Sequence, residues 1–118
     1  MLKNNCLLDM SMNEEELRVR ITGEIDHHSA VWIRARIDDE ITSQCPKRTV
    51  LLLSDIDFMD SSGLGLIMGR YKRMQSIGGE LLISGAGERV IKILKLAGLD
   101  KIVKFENSKE IKESKNEG

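Results

Sequence analysis

Alternating strand-like and helix-like stretches after a short opening hairpin predict a single α/β domain with a mixed β-sheet and parallel core strands. Two observations carry the strands. Leu17, Val19 and Ile21 alternate with Arg18 and Arg20, the period-two pattern of a strand with one buried face. Residues 49–53 are a nearly continuous apolar run, the kind buried on both faces of a parallel sheet. A third carries the helices: longer segments between and after these runs repeat their apolar residues at helical spacing. The 118 residues suffice for one core, so the domain is taken as 1–118.

Residues 6–12 and 17–21 are predicted as strands, and the polar stretch between them as a hairpin turn. T-G-E-I-D-H-H-S at 22–29 reads as a loop off the strand end, in which Asp26 or Ser29 can cap the next helix. That helix is expected over 30–43. Val31, Ile33, Ile37 and Ile41 form its apolar stripe, Trp32 lies at the margin, and Asp38, Asp39 and Glu40 form its solvated face. Pro46 stops it, and the apolar strand 49–53 follows.

A short acidic turn, D-I-D-F-M-D at 55–60, then leads into a helix over 61–77. Leu64, Ile67, Tyr71 and Met74 form its stripe, with Leu66 and Met68 off it. Asp60, Ser61 or Ser62 can cap this helix, because a short oxygen side chain accepts from the free N–H groups of the first turn. Gly78-Gly79 ends it. A strand at 80–84 follows, then a helix at 88–97 with Val90, Ile91, Ile93, Leu94 and Leu96 apolar, closed by Gly98. A last strand is expected at 102–105. Asn107 can cap a final charged helix, making about four helices in all.

Composition excludes several functions. The net charge of −1 without a dense Lys/Arg cluster argues against a nucleic-acid backbone binder. Aromatics at 3% leave little for base stacking and require an aliphatic core. Cys6 and Cys45 show neither metal nor disulfide spacing and fit a reducing cytoplasm. No segment has the length and apolarity of a signal peptide or membrane span.

The chemistry concentrates at 55–70. Gly63, Gly65 and Gly69 fall inside a helical pattern, where each costs about 1 kcal/mol relative to alanine. Something must need the backbone close, either the sheet beneath or a partner above. The spacing is not a dinucleotide fingerprint, because the third glycine comes one residue late, and no G-K-[ST] makes a phosphate loop. The serines lack a G-x-S-x-G elbow. His27 and His28 lack further ligands at metal spacing. A receiver-like aspartyl phosphoacceptor using Asp55, Asp57 or Asp60, with Glu24 and Asp26 as the additional acids, is the runner-up; a small nucleotide-binding domain ranks with it. The leading reading is a hydroxyl at a helix start, amid Ile56, Phe58 and Met59, that switches an interface when phosphorylated.

F-M-D-S-S-G-L-G at 58–65 resembles the signature of the anti-sigma factor antagonists of the STAS-domain family. T-G-E-I-D-H-H at 22–28, M-G-R-Y-K at 68–72, I-G-G-E at 77–80 and A-G-L at 97–99 extend the resemblance over nearly the whole chain, the G-E-I-D-H-H and G-R-Y-K pieces being closest to the sporulation branch. The first few residues and the tail at 107–118 match least. The resemblance implies a STAS-type domain without enzymatic activity or cofactor of its own, cytoplasmic and monomeric, with no nucleic-acid or membrane partner. It implies that the unmodified form binds an anti-sigma factor that is also a serine kinase and so releases a sporulation sigma factor. It further implies that this kinase uses its own ATP to phosphorylate Ser61, and that a PP2C-type serine phosphatase reverses the modification. Asp26, His27, Phe58, Met59, Asp60, Ser62, Gly63, Leu64, Gly65 and Met68 are then expected to contact the partner.

Overall fold

The structure, a computed structural model, describes residues 2–3 and 6–106. A six-stranded sheet runs in sequence order. Its strands are β1 (Leu2–Lys3), β2 (Cys6–Asn13), β3 (Glu16–Ile25), β4 (Arg48–Met59), β5 (Glu80–Ser84) and β6 (Lys104–Glu106). The first three pair antiparallel, and β3 through β6 pair parallel. The parallel connections are made by α1 (His27–Gln44), α2 (Ser61–Ser76) and α3 (Glu88–Leu96), the last followed by a 3-10 turn at Leu99–Lys101. The final helix expected from Asn107 lies outside the described residues.

One face of the sheet holds the core. Leu17, Thr49 and Leu81 lie in register, as do Val19, Leu51 and Ile83, and all six are buried. Ile33, Ile37 and Ile41 of α1, Leu66, Ile67 and Met74 of α2, and Val90 and Leu94 of α3 join the same apolar cluster. The opposite face is wetter at its base. There Glu16, Arg48 and Glu80 stand side by side, and ion pairs run from Arg18 through Glu16, Arg48 and Glu80 to Lys104.

The main departure from the sequence expectation is the length of two strands. β3 continues through the stretch read as a loop, and β4 continues through the stretch read as an acidic turn. The two extensions pair with each other, Thr22 with Asp55 and Ile25 with Met59, across two register shifts. Each extension is polar at alternate positions, which hides a strand from a search for apolar runs. The α1 stripe also differs. Ser29, not Val31, is buried with Ile33, Ile37 and Ile41, while Val31 is 59% exposed. On α2, Leu66 is buried, whereas Leu64 and Tyr71 are only half-buried against the core.

Candidate functional site

The paired extensions of β3 and β4 deliver two helix starts side by side. Asp26 follows Ile25 and caps α1, accepting from the N–H groups of His28 and Ser29 at 3.0 and 2.9 Å. The Ser29 hydroxyl accepts from the Asp26 N–H at 2.9 Å and donates to the Glu24 carbonyl at 2.9 Å, closing a capping box. The backbone hydrogen bond from Ser29, aided by that from His28, holds the Asp26 carboxyl below the usual carboxylate range. Asp60 follows Met59 and caps α2, its Oδ1 accepting from the Ser62 N–H at 2.7 Å. The Asp60 N–H donates to the Ile25 carbonyl at 3.1 Å, so the two caps are tied through the backbone.

Ser61 is the first residue of α2 and is exposed. Asp60 does the capping, and no hydrogen bond engages the Ser61 hydroxyl among the described residues. A free hydroxyl over a helix N-terminus is well placed to carry an added anion.

The other expected contact residues divide. His27, Phe58 and Gly65 are exposed, and Asp26, Asp60, Ser62, Leu64 and Met68 are half-buried. Met59 is 4% exposed and points into the core, and Gly63 is buried against it. A Cβ on Gly63 would stand 2.3 Å from Met59 Cγ. Neither residue offers surface to a partner, which corrects the expectation for both. Of the three helix glycines, Gly63 is therefore the one packed against the sheet. Gly65 and Gly69 are different, because a Cβ on either meets nothing within 4 Å.

Two clefts involve the chain neighbours of Ser61. One, of about 300 Å³, opens between the starts of α1 and α2, lined by residues including His27, Val31, Arg34, Ser62 and Gly65. The other, of about 350 Å³, lies between the end of β4 and the start of α3, with Phe58 and Arg89 in its wall.

Sequence reasoning missed Arg70. It is 5% exposed on α2, with its Nε 2.8 Å from Asp38 Oδ1 of α1. Burial pulls its pKa down, Asp38 pulls it up, and the nearby Arg34 and Arg73 push it down again. Asp38, expected on the solvated face of α1, instead reaches across to α2. The available signal was the position of Arg70, four residues after Leu66 and three after Ile67 on the buried stripe.

The three aspartates of the acidic stretch do not converge. Asp55 pairs with Arg20 at 3.2 Å, Asp57 is exposed, and Asp60 is engaged as a cap. Among the described residues no group of three or more His, Cys, Asp or Glu is arranged to hold a metal ion. That geometry disfavours the receiver-like alternative. No helix among the described residues is long and apolar enough to cross a membrane.

The sheet order, the serine turn and the glycine-marked helix define a known class. The STAS domain profile matches residues 8–111, and the chain belongs to the STAS domain family. Within it, the chain is 38% identical over 99 residues to the anti-sigma F factor antagonist of Paenibacillus polymyxa, covering 84% of this chain and 85% of that one. It is 33% identical over 99 residues to the anti-sigma-B factor antagonist of Bacillus subtilis (strain 168), covering 84% and 89%. Among solved structures it resembles the anti-sigma factor antagonist SpoIIAA in its unphosphorylated form, with TM-score 0.76, 26% identity and coverage of 95% and 98%. It also resembles the Bacillus SpoIIAA in the phosphorylated form, with TM-score 0.70, 26% identity and coverage of 92% and 98%.

Proposed function

We propose that this chain is an anti-sigma factor antagonist of the sporulation type. Unmodified, it binds an anti-sigma factor that is also a serine kinase and thereby frees a sigma factor. The kinase, with its own ATP, phosphorylates Ser61, and the modified chain lets go. A PP2C-type serine phosphatase restores it. The domain itself is a cytoplasmic, monomeric binding module with no catalytic step and no cofactor. The names of its relatives support the antagonist reading, as does likeness to one antagonist in both phosphorylation forms.

One observation carries the switch: the Ser61 hydroxyl is exposed and unengaged at the start of α2, while its neighbour Asp60 does the capping. A phosphate there adds about −1.5 to −2 charge at neutral pH. The helix N-terminus gains about 0.3–1 kcal/mol from that charge, so the fold stays intact. A partner carboxylate 4 Å away is repelled by about 4 kcal/mol per unit charge at an effective dielectric near 20. The complex therefore dissolves while the domain does not.

The test is intact-mass and peptide-mapped phosphorylation after incubation with a purified anti-sigma F kinase and ATP. A single phosphate on Ser61, absent from Ser61→Ala, is expected. Ser61→Asp should remain folded and bind the kinase much more weakly. Phosphate on Ser62, or wild-type affinity in Ser61→Asp, refutes this assignment.

A further inference from the structure

We propose that the cleft between α1 and α2 is the seat of an acidic segment of the partner, gripped by Arg34 and approached closely over Gly65. The inference rests on reading Ser61 as the off switch. Three observations then specify the cleft and the charge of its occupant.

The first is space. Gly65 sits inside a continuous helix, and a Cβ there would meet nothing within 4 Å, so no internal contact requires it. It lines the cleft together with Val31, which is 59% exposed although it sits on a helix otherwise well packed against the sheet. An apolar wall beside a bare stretch of backbone suits an incoming segment rather than water.

The second is charge. α2 contains Arg70, Lys72 and Arg73 and no acidic residue. Across the seam, Arg34 is exposed at the cleft wall with no hydrogen bond or ion pair among the described residues. The carboxylate of Asp38, which also faces this seam, is held by Arg70 at 2.8 Å. The seam thus presents an uncompensated cation to whatever enters, and its complement is a carboxylate.

The third is the sign of the switch. Ser62 shares the cleft wall, and Ser61 is its chain neighbour at the exposed start of α2, so a phosphate on Ser61 adds its charge close to the cleft. Added negative charge expels an occupant electrostatically only if the occupant is itself acidic. The phosphate would also draw on the cation that held the carboxylate. An acidic occupant therefore accounts for capture and release by one surface.

The probe is the purified anti-sigma F factor of Paenibacillus polymyxa, titrated against the full chain and its variants with binding read by calorimetry. Gly65→Ala should melt at or above the wild-type temperature, because alanine favours a helix with room for it. It should nevertheless bind roughly tenfold or more weakly. Arg34→Glu should also fold, bind roughly tenfold or more weakly, and lose much of the salt dependence of the wild-type complex. If wild type binds and Ser61→Asp does not, yet both cleft variants bind as wild type does, the cleft proposal is overturned and the switch stands. If wild type does not bind the probe, the antagonist reading fails and the cleft proposal falls with it.

Discussion

Replacing Asp38 with alanine strands a guanidinium between two helices. Arg70 Nε lies 2.8 Å from Asp38, and its other contact, Nη1 to the Leu66 carbonyl, is long at 3.4 Å. Removing one member of a fully enclosed pair costs about 3–5 kcal/mol, because the remaining charge is left desolvated. Exposed pairs contribute about 0–1 kcal/mol. This pair falls between, since the Arg70 side chain is 6% exposed and that of Asp38 36%, so water reaches the vacated place. Asp38→Ala is therefore expected to destabilise the domain by about 2 kcal/mol. For a domain of this size that lowers Tm by about 8 °C. Thermal melts and urea titrations at neutral pH measure it. Adding Arg70→Met to Asp38→Ala should recover at least half of the loss, because the stranded charge is then gone. A single variant within about 0.5 kcal/mol of wild type, or a double variant worse than the sum of the singles, refutes the account.

Two further outcomes are expected. Gly63→Ala sets a helix-propensity gain of about 1 kcal/mol against overpacking of about 1–3 kcal/mol on Met59, so urea unfolding should show it no more stable than wild type. A clear gain in stability would mean that Met59 yields freely. Glu80 accepts a hydrogen bond from Lys104, which with the nearby cations lowers its pKa. Its contribution is fully present above the ordinary glutamate range and disappears as pH falls through the depressed folded value. Glu80→Gln should accordingly flatten the acid limb of a stability-versus-pH curve. An unchanged limb shows that the ladder of charges contributes nothing there.

What the sequence disclosed follows from how each signal is written. The alternation at Leu17–Ile21, the strand at 80–84 and the stop at Gly98 are local patterns, and each stands where expected. The capping role of Asp26 was equally legible, because it needs only a short acceptor before a helix. The extensions of β3 and β4 were not, since their stability comes from pairing with each other rather than from apolar runs. Val31 and Ser29 exchanged places because Ser29 is buried to serve the capping box, which hydropathy scores as a polar surface residue. The Asp38–Arg70 pair is written on two helices, and no periodicity within one helix reveals it. The turn offers both Ser61 and Ser62, and the family resemblance singles out Ser61; that Met59 and Gly63 pack against each other is a contact between a strand and a helix that neither pattern announces.

β4 outruns β5. Its pairing with that neighbour stops at Leu52, while its pairing with β3 runs on to Met59. Beyond Leu52 one flank therefore has no strand beside it among the described residues. A flank without a strand partner is a template on which foreign chains add, the first step toward aggregation, and in this chain the start of α3 faces it across a cleft. Here the bare length carries Asp55 and Asp57, both exposed. Asp55 is paired with Arg20, so a second copy laid antiparallel along it would meet Asp57 as the charge left to repel its own. Asp57, one of the aspartates that first suggested a phosphoacceptor, thus puts a charge on the stretch of β4 that lacks a second strand among the described residues, where strand addition is disfavoured.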